Sequence, residues 1–585
     1  MSRYKTDASV KPSLRAVTLY AVASIALLSA IAPQSAQAQA QSQPQADPSR
    51  VDERFREPTI DFQVSPKIEV RQADSEHIPN GAENIKLVLQ KLEISGSSVY
   101  TAEYLNTFYG DKIGTEISLA DVYAIAARLT RLYREDDYAI SRVIIPVQTI
   151  DRKTGIIKLE AIEGFIDQVT IQGEEKGSEF SEIRNYANLI KGQTPLNIKE
   201  LERSLLMIND LPGVEARAVM SPSNVTAKAS DLTLIIERKK VDAVLSIDNH
   251  GSRYLGPVQL IGAASFNSWL GLNERFTIQG AAAPDNTFET EMAYISAHYE
   301  QPINKYGTWF KAFVSRTRTD PGYDLQQFDV RGQSTYGEFK IEHPLTRTRN
   351  FNWFADLSFD WRNASSMNNL EPTRKDRVRA VRAGTSIEFL DTIFGAGVNS
   401  LNLKFSKGID VFGASESGDD NLSRQFGDPS FSKLEADAQR LQRLSNKVNL
   451  LTAVQGQLSN GALLSSEEFG VGGVNIGRAY DSSEIVGDQG LAGKIELQWR
   501  NPYAIPVFDN YQLSTFYDVG VVWNDDATTS AFKRQSLASA GIGFNATITK
   551  KTSLSLMVAK PLTRTVQTQS GDKDPRFYIS LSRQF

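Results

Sequence analysis

The strongest constraint on this chain is a change of periodicity at Val241. From there to Phe585 the spacing expected of helices disappears, and apolar and polar residues alternate one by one. Phe351, Trp353, Ala355, Leu357, Phe359 and Trp361 alternate with Asn352, Asp356, Ser358 and Asp360. Tyr511, Leu513, Tyr517, Val519, Val521 and Trp523 oppose Gln512, Ser514, Phe516, Asp518 and Gly520. Ala538, Ala540, Ile542, Phe544, Ala546 and Ile548 do the same against Ser539, Gly541, Gly543, Asn545 and Thr547. A period of two describes strands with one apolar face and one wet face. The stretch holds about sixteen such candidates, an even number within the range of outer-membrane barrels. All six tryptophans fall inside it, and aromatics near strand ends suit an interfacial girdle.

Connection lengths support the same reading. Short links at Trp269 to Asn273, Leu444 to Asn446 and Lys550 to Lys551 alternate with long ones. The long ones are Thr317 to Leu325, Asn363 to Lys375, Ile409 to Ser430, Ser459 to Gly490 and Leu562 to Pro575. Barrels of this kind have short periplasmic turns and long outer loops. The last residues alternate as Phe577, Ile579, Leu581, Arg583 and Phe585. An amphipathic strand ending in Phe is typical of bacterial outer-membrane barrels. The Gly-rich stretch 459–490 is too long for an ordinary connection, and loops of that length in compact domains are usually functional or disordered. It is expected to fold into the barrel lumen.

Composition excludes several classes. Net charge is −5 with no long basic run, which argues against nucleic acid as a partner. There is no cysteine, so neither disulfides nor thiolate chemistry is available. The four histidines, His77, His250, His298 and His343, lack ligand-like spacing, so no metal site is expected. No phosphate loop and no Gly-x-Ser-x-Gly elbow occurs. The chain is not expected to be an enzyme or to need a cofactor. Beyond the N-terminus no run of about 18 apolar residues exists, which excludes helical spans but not a β-barrel.

Residues 1–40 read as a secretory signal peptide, with Arg3, Lys5, Lys11 and Arg15, an apolar Ala16–Ala32 and Ala-Gln-Ala sites at 36–38 and 38–40. Residues 41–79 read as a polar linker with a short helix, capped by Asp47, over Ser49 to Glu57. Residues 80–163 read β-α-α-β-β, the main helix running from a Ser118 cap to Tyr133 and a hairpin closing across Asp151-Arg152-Lys153-Thr154. Residues 164–239 repeat that order, with helices at Ser181 to Leu189 and Asn197 to Leu211 ended by Pro212-Gly213. The barrel is assigned 240–585.

This order of parts resembles the two-partner secretion transporters, the family of the haemolysin activator and the filamentous haemagglutinin transporter. The two modules look like its paired POTRA domains. The fold class implied is a 16-stranded transmembrane antiparallel β-barrel preceded by two α+β POTRA domains. Three stretches carry the resemblance. Ser246-Ile247-Asp248-Asn249-His250-Gly251-Ser252 is similar to the family's first-strand run. Gly477-Arg478-Ala479-Tyr480 stands where the family usually has Val-Arg-Gly-Tyr, so Arg and Tyr match while Val and Gly are replaced. Phe516-Tyr517-Asp518-Val519-Gly520 matches Phe-x-Asp-x-Gly.

Alternation alone puts Phe516, Asp518 and Gly520 on the polar, inward face. The resemblance implies that Arg478, with Tyr480 beside it, meets Asp518 inside the lumen and fixes the loop. It further implies an outer-membrane location with the POTRA domains in the periplasm. The partner would be a secreted exoprotein, taken up unfolded, and the chain would be a monomer set in outer-membrane lipid. The segment near Pro48 to Glu57 would plug the pore. The alternative function is an assembly factor of the related POTRA-barrel class, whose chains usually carry more modules.

Overall fold

The computed structural model describes residues 44–55, 68–70, 78–150, 154–173, 177–284, 290–369, 371–503, 505–526, 530–569 and 572–585. The expected signal peptide and the hairpin tip at 151–153 lie outside the described residues.

The N-terminal part has one short helix, α1 (Val51–Phe55), and a three-residue strand, β1 (Ile68–Val70). The first module contains β2 (Lys86–Val88), β3 (Lys91–Ser95), α2 (Ala102–Asn106), β4 (Glu116–Ser118), α3 (Leu119–Glu135), β5 (Arg142–Ile144) and β6 (Ile156–Ile162). Ser118 and Asp121 form a reciprocal capping box that starts α3. That helix buries Val122, Ile125, Ala126, Leu129, Leu132 and Tyr133 at helical spacing. The sheet order is β3-β6-β5, with β2 and β4 pairing separately.

β5, the first strand of the hairpin expected across residues 151–154, is only three residues long. Pro146 has no N–H to donate, and the ladder is continued instead by a side chain. Gln148 accepts from the Lys158 N–H at 2.9 Å and donates to the Lys158 carbonyl at 2.7 Å.

The second module contains β7 (Phe165–Gln172), α4 (Ser181–Asn188), α5 (Ile198–Asn209), β8 (Val214–Pro222) and β9 (Ala229–Arg238). Asn197 caps α5, and Gly213 at φ +68 makes the turn into β8. In both modules the first long strand pairs parallel with the last, and a hairpin partner lies on the other side. The linker adds to the second sheet: β1 pairs parallel with β8 through Ile68–Val70 and Ala218–Met220.

The remaining strands are β10 (Val241–Asp248), β11 (Gln259–Asn267), β12 (Arg275–Pro284), β13 (Thr290–Pro302), β14 (Trp309–Thr319) and β15 (Arg331–Arg347). Next come β16 (Phe351–Asn368), β17 (Glu371–Asp391), β18 (Gly397–Gly408), β19 (Ser432–Arg443) and β20 (Val448–Ser459). The long loop carries β21 (Phe469–Val471) and β22 (Ile485–Gly487). The chain closes with β23 (Gln489–Asn501), β24 (Asn510–Trp523), β25 (Arg534–Thr549), β26 (Thr552–Pro561) and β27 (Arg576–Gln584).

Sixteen of these strands, β10 to β20 and β23 to β27, form a closed barrel in which β27 pairs back onto β10. Outward residues such as Leu357, Leu513, Ile542 and Phe577 are exposed, whereas inward Asp360 and Asp518 are buried. Among the described residues no helix is long and apolar enough to cross a membrane.

One expected loop is a strand pair instead. The segment Asn363 to Lys375 continues β16 and β17, with Ala364 opposite Asp376 and Ser366 opposite Arg374. The two strands reach 18 and 21 residues, well beyond the roughly 9–11 needed to cross a bilayer. Where a hairpin stands clear of lipid neither face must be apolar, so its sequence loses the alternation that marks a strand.

Candidate functional site

The barrel interior is built first by β24. Its alternation aims Phe516, Asp518 and Gly520 into the lumen, and Asp518 is fully buried there. A lone buried carboxylate would be costly, and the loop 460–488 supplies its partner. The loop leaves β20, pairs β21 with β22, and returns at β23. Gly472, Gly473 and Gly477 all have positive φ, which folds the Gly-rich tip back on itself. Gly477 sits at φ +86, so the valine usual in the family would be strained here.

The tip places Arg478 against Asp518 in a two-pronged pair, Nε to Oδ2 at 3.0 Å and Nη2 to Oδ1 at 2.8 Å. The backbone N–H groups of Gly477 and Arg478 also donate to Asp518, at 3.1 and 3.0 Å. Ser539 adds a hydroxyl at 3.3 Å. Arg478 also donates through Nη1 to Glu496 of β23 and lies 3.5 Å over the centre of the Phe516 ring. Tyr480 is buried, donates to the Ala538 carbonyl at 3.1 Å and accepts from the Arg564 N–H at 3.3 Å. Gly520 is the seat of β21: a Cβ there would stand 2.5 Å from Cγ1 of Val471. The five residues singled out from sequence, Arg478, Tyr480, Phe516, Asp518 and Gly520, therefore lie in one contact network. An apolar cluster of Val471, Ile476, Ala479, Tyr480 and Ile485 packs them onto Phe516, Val522, Leu537 and Tyr578.

Sequence reasoning missed the loop's second and third attachments. Glu467 meets Arg382 of β17 at 2.9 Å and Lys433 of β19 at 2.9 Å, and Arg382 also grips Asp360 of β16. At the loop's return, the buried Asp488 pairs with Arg424 of the outer loop 409–431 and accepts from the Leu463 and Asp525 N–H groups.

A further set of contacts holds residues 44–55 in the same lumen. The Asp47 carboxylate accepts from the Ser49 N–H at 2.8 Å and pairs with Arg374 of β17. Asp52 takes Arg362 of β16 through two bonds, at 2.8 and 3.2 Å. Arg54 pairs with Asp248 of β10 at 3.0 Å, and Phe55 stacks on Tyr294 of β13 with ring centres 4.9 Å apart. Arg50 donates to Ser483 and to the carbonyls of Ser465 and Glu468, all on the inward loop. Contacts with β10, β13, β16, β17 and the loop together place residues 44–55, α1 among them, within the barrel. Asp248 belongs to the motif run noted in the sequence. Arg362 carried one available signal, since it continues the inward parity of Asn352 to Asp360; Arg374 carried none, because it lies in the segment that loses its alternation.

Residues 230–546 match the family described as "Haemolysin secretion/activation protein ShlB/FhaC/HecB", and residues 87–164 match a POTRA domain of the ShlB type. The "Heme/hemopexin transporter protein HuxB" of Haemophilus influenzae (strain 86-028NP) is 23% identical over 566 residues, covering 92% of this chain and 95% of its own length. The "Outer membrane transporter CdiB" of Escherichia coli O6:K15:H31 (strain 536 / UPEC) is 23% identical over 481 residues, covering 80% and 78%. Among solved structures, CdiB from Escherichia coli shares the fold, with a TM-score of 0.68 at 20% identity over 87% of this chain and 93% of that one. The chain belongs to the ShlB/FhaC/HecB family of haemolysin secretion/activation proteins, outer-membrane transporters of two-partner secretion in which a β-barrel follows a periplasmic POTRA region.

Proposed function

We propose that this chain exports one partner exoprotein as an unfolded polypeptide through its own barrel lumen, with no catalytic step. The reading rests on one observation above all: the lumen of a closed barrel is filled by two pieces of the same chain, one of them attached to the wall mainly through ion pairs. A barrel that passes a polypeptide must be sealed at rest and unsealed in use. Residues 44–55 are the removable seal, and Arg478 with Asp518 is the fixed pin that holds the inward loop.

Both modules stand on the periplasmic side, where β10 begins, and meet the exoprotein first. Strand addition along a sheet edge suits an unfolded chain, because backbone hydrogen bonds need no particular sequence. Once emerged, the polypeptide folds outside, and that folding supplies direction without nucleotide. Pairing of β27 with β10 closes the pore within one chain, so a monomer suffices. The apolar outward residues face outer-membrane lipid.

The test is deletion of residues 80–239 in cells that also make the partner exoprotein. The variant should still insert as a barrel but lose surface delivery of the exoprotein. Undiminished delivery without the modules would remove the basis for this reading.

A further inference from the structure

Asp210 is placed against local preference. It is the C-cap of α5, whose last turn has no basic residue, so a carboxylate stands at the negative end of the helix. Local rules broken in this way mark a constraint from elsewhere. The compensating cation is Arg347, at the periplasmic end of β15. Its Nε and Nη2 hold the two Asp210 oxygens at 3.0 and 2.7 Å, and its Nη1 holds Asn352 of β16 at 2.8 Å. Arg347 is buried although it lies at the barrel rim.

Apolar contacts surround the pair. Gly307, in the turn between β13 and β14, leaves room that a Cβ would fill against Pro344 of β15 and Met207 of α5. Trp309 packs on the second module's core. A separate set of bonds fastens the covalent junction: Arg238 donates to Asn273 at 2.6 Å, and Asn267 donates to the Lys239 carbonyl at 2.9 Å. The second module thus touches three successive periplasmic turns, β11–β12, β13–β14 and β15–β16. Across the rim, at the periplasmic end of β23 to β27, lies a polar cavity of about 330 Å³ lined by Arg500, Asn510, Asn545, Thr547, Ser553 and Ser580.

We propose that Asp210 and Arg347 are positioning residues: their pair clamps the second module to one side of the barrel mouth, so that a captured polypeptide is delivered to the polar opening under β23 to β27. The delivery role rests on the export reading above; the clamp itself does not.

The chain has no cysteine, which allows clean spin labelling of the full-length protein. Labels at V225C, on the second module, and L444C, on the turn between β19 and β20, would be read by pulsed dipolar spectroscopy in lipid nanodiscs. Both sites are exposed. The native pair should give one narrow distance. Arg347→Ala, and the milder Asp210→Asn, should broaden it, with the docked population falling roughly thirtyfold relative to undocked. The swap D210R with R347D should narrow it again and recover export lost in the single variants.

An unchanged distance in R347A would overturn the clamp, as would a swap that inserts normally yet stays broad. A broadened distance with full export would overturn the positioning role. The distances are read without any exoprotein, so loss of the export reading would leave this result standing.

Discussion

Two pieces of chain share the lumen, and they are held by different physics. The loop 460–488 is anchored at both ends by barrel strands and buries an apolar cluster of its own, including Val471, Ile476 and Ile485. Each such side chain contributes about 1.5–3 kcal/mol on burial. Residues 44–55 run on from β10-side contacts toward the linker, and their apolar share is small: Ala46, Val51 and Phe55 against Tyr254, Leu255, Met292 and Tyr294. Their main bonds are Asp47–Arg374, Asp52–Arg362 and Arg54–Asp248. Ion pairs that regain hydration when separated are close to neutral overall. Apolar surface pulled into water is not. On the proposed function, this difference lets the loop stay while the N-terminal segment leaves, although both are dense with charge.

The largest effect is expected at the pin. Arg478→Ala takes the cation from the fully buried Asp518 and leaves it two backbone N–H groups and the Ser539 hydroxyl; breaking one side of such a pair costs about 3–5 kcal/mol. Export should be lost while heat-modifiable mobility shows the barrel still inserted, and Asp518→Ala should match it. Normal export in both variants would erase the distinction between the two elements.

The double variant Asp47→Asn, Asp52→Asn comes next. It takes the Asp52 carboxylate from Arg362, whereas Arg374 loses Asp47 but keeps Asp376, so the destabilisation is smaller than at the pin. Its predicted phenotype is frequent channel opening in planar bilayers with the loop still protected from protease. If the loop became cleavable as well, the two elements would be one cooperative unit.

Gly520→Ala should act on the loop alone. Its Cβ would enter the space of Val471, and overpacking costs about 1–3 kcal/mol. Protease sensitivity within 460–488 should rise without a change in resting conductance.

The smallest effect lies outside the lumen. Ser118→Ala removes the α3 cap, worth about 1 kcal/mol, and should lower the melting point of the first module only. The Ser118 N–H and hydroxyl hold the Asp121 carboxyl below its ordinary range. Its contribution is therefore complete above a pH of about 4 and is lost as pH falls through the lowered value. An acid melt of Asp121→Asn should lack that loss.

Much of this was readable in advance because it is periodic. Val448 to Leu458 and Leu491 to Trp499 alternate, so the loop between them stood out, and alternation alone aimed Asp518 inward. The partners of α1 were not readable. Asp52 and Arg362 lie 310 positions apart, and nothing local in either neighbourhood announces the pair. β1 was hidden for a related reason: three residues, Ile68, Glu69 and Val70, are too few to show a period and need β8 as a template. The helix near Pro48 was expected from its Asp47 cap, and it is found as Val51–Phe55, shorter than Ser49 to Glu57; residues 56 and 57 lie outside the described residues.

The most direct measurement is planar-bilayer conductance of the purified protein, produced from residue 41 onward, beside a variant lacking residues 41–60. Low conductance that rises sharply on deletion is the predicted result, with the inward loop remaining protected. Equal, steady, porin-like conductance in both proteins would contradict a removable seal.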